Sequence, residues 1–378
     1  MKKRIIILGA TGSIGYNTIE FIRSQKDAFS IVGMSAHTKV EEFLKLASEF
    51  SVDNLAISGF SSYKDDSIKY FGDSGIIELL QDVDADIVVN GISGASGLLP
   101  SVHTLKTGKD LALANKETAV IAGSLVMNLA KECGKKILPV DSEHAAIFQL
   151  LRYRPVEQLS KIILTSSGGP FRTSDYKVLV NATPEDAVKH PTWNMGNKIS
   201  IDSATLANKG LEVIETTSLF DVTYEDVEVL IHPQSYMHSL IKTTDGSLYA
   251  QISEPDMKVP IMNALLHPEI GKKPFTQLDL TNKVLEFYKP DTGRFPMLQY
   301  AYDALKHGGS YSIVYNAANE VAVGSFIKRQ IGFMDIPRIV NNILQNDWSS
   351  VPQSFEDVLD IDIRSRVKTM EAIDNKWY

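Results

Sequence analysis

The sequence predicts an α/β chain: an N-terminal Rossmann-like domain over 1–140, an α+β domain over 141–265, a linker over 266–292 and a C-terminal helical bundle over 293–378. Three observations predict it. Short β-branched runs alternate with amphipathic stretches through the first third, a glycine loop follows the first run, and helical period takes over after Pro296.

The first third reads RIIILGA, IGYNTIEFIRSQ, FSIVGMSA, then LAISG, ADIVVNG and KKILPV. Strands alternating with helices make βαβ units and a parallel sheet covered on both faces. From Asp141 the pattern changes. SKIILTSSGGPF and VEVLIHPQS read as strands, KGLEVIETTSLF as a helix, and SLIKTTDGSLYAQI as a hairpin turning at Asp245-Gly246, so this sheet is partly antiparallel. The Pro, Gly and Ser-rich segment from Ser166 to Gly196 reads as a mobile loop, and HPEIGKKPFTQLDL as the linker. MLQYAYDALKHGG, NAANEVAVGSFIKRQ, IPRIVNNILQN and IRSRVKTMEAI then supply the bundle.

In IIILGATGSIG the glycines are Gly9, Gly12 and Gly15, after a buried strand and before a helix opening at Ile14. Glycine permits the tight turn and close approach, and the helix N-terminus offers free N–H groups to a pyrophosphate, with Thr11 and Ser13 adding hydroxyls. Contacts are therefore expected at Thr11, Gly12, Ser13 and Ile14, against the plainer reading of a strand-to-helix turn. The second strand ends without the Asp or Glu that holds ribose hydroxyls in NAD-selective folds. It runs into His37, Thr38 and Lys39, donors suited to a 2′-phosphate, which favours NADPH.

The 378 residues carry a formal net charge of -8 and no long basic block, which argues against a nucleic-acid partner. Cys133, the single cysteine, reads as a spectator thiol, and no intrachain disulfide is possible. The apolar run behind MKKR is too short for a signal peptide, and no window approaches the roughly 20 apolar residues of a membrane span. A cytoplasmic location is expected.

LPVDSEHAAIF places Asp141 and Glu143 two apart at a strand end, where ligands gather on a parallel sheet. Two carboxylates suit a hard cation such as Mg²⁺ or Mn²⁺. Alternatively Asp141 or Ser142 caps the helix HAAIFQLL. In IDSATLANKGLE, Ser203, Asn208, Lys209 and Glu212 gather at a helix start; hydroxyl, amide and lysine make a phosphate cradle, and Glu212 a third cation oxygen. A capped, solvated helix is the blander reading.

LANKE, LPVDSEHAAIFQ, SSGGPFR, HPTWNMG, IDSATLANKGLE, LIHPQS, EPDM and NAANE occur in this order, and together they closely resemble the 1-deoxy-D-xylulose 5-phosphate reductoisomerase family, essentially end to end. The resemblance implies NADPH-dependent isomerisation and reduction of 1-deoxy-D-xylulose 5-phosphate to 2-C-methyl-D-erythritol 4-phosphate for isoprenoid synthesis, with Mg²⁺ or Mn²⁺, Co²⁺ being a further candidate. It implies that Asp141, Glu143 and Glu212 are metal ligands and that Ser167, Ser203, Asn208 and Lys209 hold phosphate. Ser142 and Lys116 would reach substrate hydroxyls. Asn115, Glu117 and Gly196 would lie at the cofactor, and His190 at the substrate, with Trp193 as a lid. Lys116, Glu143, His190 and Trp193 form the implied catalytic set, and the family implies a homodimer. His232 and His238 read as structural polar groups. The family commonly shows Gly-Lys-Asn where this chain has His37, Thr38 and Lys39, so Lys39 is expected to act from one position along.

Two other readings stand beside this one. A semialdehyde dehydrogenase with a GATG-type loop needs an active-site cysteine, which Cys133 does not provide. A dinucleotide-sensing protein with a structural metal leaves the phosphate cradle unexplained.

Overall fold

The computed structural model describes residues 2–59, 65–152, 154, 156–193, 195–271 and 277–378. Asn194 of HPTWNMG and 272–276 of the expected linker thus lie outside the described residues. The chain forms two compact units, one from Met1–Thr118, Val126–Ala145 and Asp256–Thr276, the other from Ala119–Leu125, Ala146–Pro255 and Gln277–Tyr378.

The first unit runs β1 (Lys3–Leu8), α1 (Ser13–Arg23), β2 (Phe29–Ala36), α2 (Val40–Phe50), β3 (Leu55–Ile57), β4 (Tyr70–Phe71), α3 (Gly72–Asp82), β5 (Ile87–Asn90), α4 (Leu98–Lys106), β6 (Asp110–Leu113), α5 (Lys116–Glu132), of which Ala119–Leu125 belongs to the second unit, and β7 (Ile137–Pro139). Among the described residues its seven strands lie in the order β4-β3-β2-β1-β5-β6-β7, all parallel. Ile5, Ile6, Ile7 and Leu8 are fully buried because β1 is the central strand and has helices over both faces. On one face Ile6 and Leu8 meet Leu79 and Leu80 of α3. The order of strands reverses between β1 and β5, and the carboxyl ends beside such a switch form the ligand crevice of doubly wound sheets.

In the second unit α6 (Ser142–Leu151), which begins in the first, leads to β8 (Leu159–Ser166), α7 (Tyr176–Val180), α8 (Pro184–Ala187), α9 (Asn197–Thr205), α10 (Ala207–Phe220), β9 (Val227–Ile231), β10 (Met237–Thr243) and β11 (Leu248–Ile252). The sheet order is β11-β10-β8-β9, with β10 antiparallel to both neighbours and β8 parallel to β9. The β10–β11 hairpin turns at Asp245-Gly246 as expected, with Gly246 at φ 87° and the Asp245 carboxylate accepting from Ser247 N at 2.9 Å.

Then α11 (Lys258–Leu266) returns to the first unit, before α12 (Met297–His307), α13 (Tyr311–Ile327), α14 (Asp335–Leu344) and α15 (Phe355–Asp374). These last helices share one core with the mixed sheet. Ile162, Leu164, Val229 and Ile241 of the strands pack with Leu298, Val323, Phe326 and Ile339 of the helices. In α14 the buried residues Ile336, Ile339, Val340 and Ile343 form the i, i+3, i+4, i+7 stripe that the sequence pattern predicts. Among the described residues no helix is long and apolar enough to cross a membrane.

The segment from Ser166 to Gly196 carries two short helices. The second has a reciprocal capping box, Thr183 with Asp186, and Pro184 in its first turn. The stretch before KGLEVIETTSLF is itself helical, as α9, and breaks from α10 at Leu206, whose φ of 63° is left-handed.

Candidate active site

Behind β1 the backbone turns at Gly9, φ 77°, and Gly12 N donates to Gly9 O at 3.0 Å. A side chain at Gly15 would place its Cβ 2.4 Å from Gly9 O, so only glycine lets α1 sit this close to the strand end. At Gly9 itself a Cβ would lie 3.0 Å from Gly91 O, just beyond β5 at the switch. Gly12 caps α1 without a side-chain hydrogen bond, which leaves the first-turn donors at Ser13 and Ile14 to a ligand. Gly12 and Ser13 are exposed and Thr11 half-buried.

His37, Thr38 and Lys39 are exposed between β2 and α2. His37 Nδ1 lies 3.0 Å from Ser58 Oγ, and Lys39 Nζ lies 3.5 Å from a Glu42 carboxylate oxygen. Gly59 N donates to His37 O at 2.9 Å, and a Cβ at Gly59 would come within 2.5 Å of that oxygen. The turn therefore groups three donors, His37, Ser58 and Lys39, on one exposed edge. Ser58 carries no signal in the sequence beyond its place after β3.

Asn115 is the N-cap of α5, accepting from Thr118 N at 2.9 Å. Its amide donates to Ile92 O at 2.8 Å, Gly94 O at 2.9 Å and Glu117 Oε2 at 2.9 Å, and a Cβ at Gly97 would collide with it at 2.4 Å. Asn115 and Glu117, both buried, thus brace the loop after β5 that borders the crevice.

The two readings of DSE coexist. Asp141 Oδ1 accepts from Glu143 N at 3.1 Å and His144 N at 3.3 Å, which caps α6, while Oδ2 pairs with the Lys116 ammonium. His144 Nδ1 also lies 3.0 Å from Oδ1. Burial alone would push the Asp141 carboxyl up; the Lys116 charge and the His144 hydrogen bond outweigh it and hold the group well below the usual carboxylate range. Ser142 Oγ donates to Glu143 Oε2 at 2.6 Å. His144, buried and three residues after Asp141 on one helix face, is a member of this cluster to which the sequence reading gave no role.

Asp141 and Glu143 stand at the start of α6, in the first unit, and Glu212 on α10, in the second, and each offers a carboxylate oxygen to a cation. The donor set is all oxygen, which suits Mg²⁺ or Mn²⁺ over thiolate-loving metals. Glu212 is held by Asn208 Nδ2 at 2.6 Å and by the Lys209 ammonium. Lys116 thus offsets Asp141, and Lys209 offsets Glu212.

The cradle residues come from three segments. Ser167 follows β8, Ser203 lies in the last turn of α9, and Asn208 and Lys209 lie in the first turn of α10. At Gly169, φ 73°, a Cβ would lie 2.6 Å from Ser203 O, and this close approach brings the Ser167 loop against α9. Ser167 Oγ accepts from His190 Nε2 at 3.0 Å, because Nδ1 of that ring already accepts from Trp193 N at 2.9 Å and Thr192 N at 3.2 Å. Burial and the Lys209 charge lower His190 to about 4, so the ring is a neutral Nε2–H donor at physiological pH. Trp193 is half-buried with its ring centroid 6.2 Å from that of His238, and Gly196 is the exposed N-cap of α9. His238 Nε2 lies 3.1 Å from Ser253 Oγ, and His232 stacks on Phe287 at 4.9 Å with Nδ1 3.0 Å from Glu286 O; both rings are buried.

Family models described as 1-deoxy-D-xylulose 5-phosphate reductoisomerase match residues 5–123, and those described as its C-terminal domain match 137–220 and 252–368. The chain is 44% identical to the 1-deoxy-D-xylulose 5-phosphate reductoisomerase of Treponema pallidum over 99% of this chain and 98% of that one. With the Treponema denticola protein of the same name it shares 46% over 98% and 97%. It superposes on the Zymomonas mobilis reductoisomerase in complex with NADPH with a TM-score of 0.90 at 39% identity, covering 99% of each chain. A DOX-P reductoisomerase in complex with NADPH, fosmidomycin and magnesium matches with a TM-score of 0.91 at 38% identity, covering 98% of each.

Proposed function

We propose the roles of individual residues from one premise: the chain belongs to the 1-deoxy-D-xylulose 5-phosphate reductoisomerase family. Its reaction is the NADPH-dependent isomerisation and reduction of 1-deoxy-D-xylulose 5-phosphate to 2-C-methyl-D-erythritol 4-phosphate, in isoprenoid synthesis. The carbon skeleton rearranges by retro-aldol cleavage and re-addition, and the new aldehyde is then reduced. When bound, a divalent cation supplies Lewis acidity at the keto and neighbouring hydroxyl oxygens, and NADPH supplies the hydride.

Asp141, Glu143 and Glu212 hold the cation. Ser167, Ser203, Asn208 and Lys209 grip the phosphate, and His190 adds its neutral Nε2–H at the edge of that cradle. Lys116 carries an ammonium on Asp141 at the carboxylate cluster, and with Ser142 it meets the substrate hydroxyls. Trp193 lies over the substrate and excludes water during the rearrangement. Thr11, Gly12, Ser13 and Ile14 cradle the pyrophosphate at the start of α1, with Asn115, Glu117 and Gly196 beside the cofactor. His37, Thr38 and Lys39 take the 2′-phosphate. In this division 1–140 serves the cofactor and 141–265 the metal and substrate, and the protein works as a homodimer in the cytoplasm.

One observation carries the reading: Glu212, the third carboxylate of the expected metal set, lies a single turn along α10 from Asn208 and Lys209, and both hold it. A chelator and a phosphate grip on one helix define a substrate with an oxygenated carbon and a phosphate at opposite ends. The test is NADPH oxidation followed by absorbance. Turnover is expected only with both 1-deoxy-D-xylulose 5-phosphate and Mg²⁺ or Mn²⁺, and folded, metal-supplied protein that shows none refutes the assignment.

A further inference from the structure

We infer that α13 is the positioning element of the phosphate cradle, acting through Asn319 on α9 and through Tyr315 on α10; the inference rests on the cradle reading above. Ser203 ends one helix and Asn208 and Lys209 begin the next, so the cradle is only as well formed as the joint between them at Leu206. That joint is a left-handed residue, φ 63°, with no glycine to ease it. Leu206 is buried, and Leu206 N still reaches back to Ser203 O at 3.3 Å. Something outside the two helices must hold their angle.

Asn319 and Tyr315 stand one turn apart on the same face of α13, and both are fully buried. Asn319 Nδ2 donates to Asp202 Oδ1 at 2.8 Å, and Lys198 Nζ lies 3.0 Å from Asp202 Oδ2, so the buried Asp202 carboxylate is held from both sides, next to Ser203 in the chain. The Tyr315 hydroxyl is shared between Met297 O at 3.1 Å and Ala207 O at 3.4 Å; Ala207 is the first residue of α10 and precedes Asn208. Burial, reinforced by the Asp202 charge, pushes the Tyr315 phenol well above its ordinary value, which keeps the hydroxyl a donor.

The approach is close enough to dictate sequence. A Cβ at Gly210 would lie 2.5 Å from Tyr315 Oη and 2.9 Å from Ala301 Cβ, so the glycine of NKGLE admits α12 and α13 against the first turns of α10. Neither Asp202 nor Asn319 belongs to the metal, phosphate or cofactor sets proposed above. Their bond fixes Ser203 against Asn208 and Lys209, the geometry a phosphate needs.

Steady-state kinetics tests this. Asn319→Ala is expected to raise KM for 1-deoxy-D-xylulose 5-phosphate about tenfold, with kcat within about twofold and the NADPH Kd unchanged, the pattern of lost uniform binding. Tyr315→Phe, which keeps the ring and removes only the hydroxyl, is expected to raise KM about threefold, and it carries the test if the alanine variant folds poorly. Thermal loss in both variants with wild-type KM overturns the positioning role. Ser203→Ala and Lys209→Ala separate the premise: if neither raises KM, the cradle reading itself fails; if they do while the α13 variants do not, only this inference falls.

Discussion

The glycine turn after β1 and the carboxylates and lysines of α5, α6 and α10 are built by opposite means. Around Gly9 to Gly15 the work is done by backbone: a left-handed glycine, a glycine that no Cβ could replace, and uncapped N–H groups at a helix start. At Asp141 and at Glu212 it is done by buried charge, with Lys116 on the first carboxylate and Lys209 on the second. A backbone site needs only its local segment to fold. A charged buried site needs each partner, since one member left alone in low dielectric is costly.

This contrast orders the perturbations. Glu212→Gln removes a cation oxygen and leaves the buried Lys209 ammonium without its carboxylate; turnover should fall on the order of 10²–10³-fold across a Mg²⁺ titration, with NADPH affinity intact. Unchanged turnover takes Glu212 out of the ligand set. Gly15→Ala places a Cβ 2.4 Å from Gly9 O and 2.5 Å from Ala10 Cα. It should cost about 1–3 kcal/mol of stability and weaken NADPH about tenfold, while kcat at saturating cofactor stays near wild type. A calorimetric Tm and an NADPH titration check it, and wild-type binding would mean that the turn does not seat the pyrophosphate. Lys39→Ala is the mildest. Lys39 is exposed and its Glu42 pair is weak, so NADPH should weaken only about fivefold and NADH not at all. Equal loss for both cofactors would place Lys39 away from the 2′-phosphate.

The same contrast explains what the sequence made legible. The glycine turn, the parallel strands and the Asp245-Gly246 hairpin are local features, and each was readable from adjacent residues. Asp141 was readable only as an ambiguity between cap and ligand, and the structure shows why: its two oxygens have different tasks, Oδ1 at the helix start and Oδ2 on Lys116. The α9 helix has little signal in the sequence because NKISIDSAT is polar and β-branched, with no apolar stripe. The capping box at Thr183 and Asp186 has a local signature in TPED. The Asp202 bond to Asn319 spans 117 positions, and no local pattern marks it.

Metal removal tests the central claim most directly, that cofactor seating is a backbone property separable from a charged cluster that performs the chemistry. Protein stripped of divalent ions with a chelator is titrated with NADPH by fluorescence, then assayed before and after Mg²⁺ is restored. The account predicts the same NADPH Kd with and without the ion, no turnover in the stripped protein, and full recovery on addition. A NADPH Kd that shifts more than about tenfold on stripping, or turnover that survives it, would contradict the account.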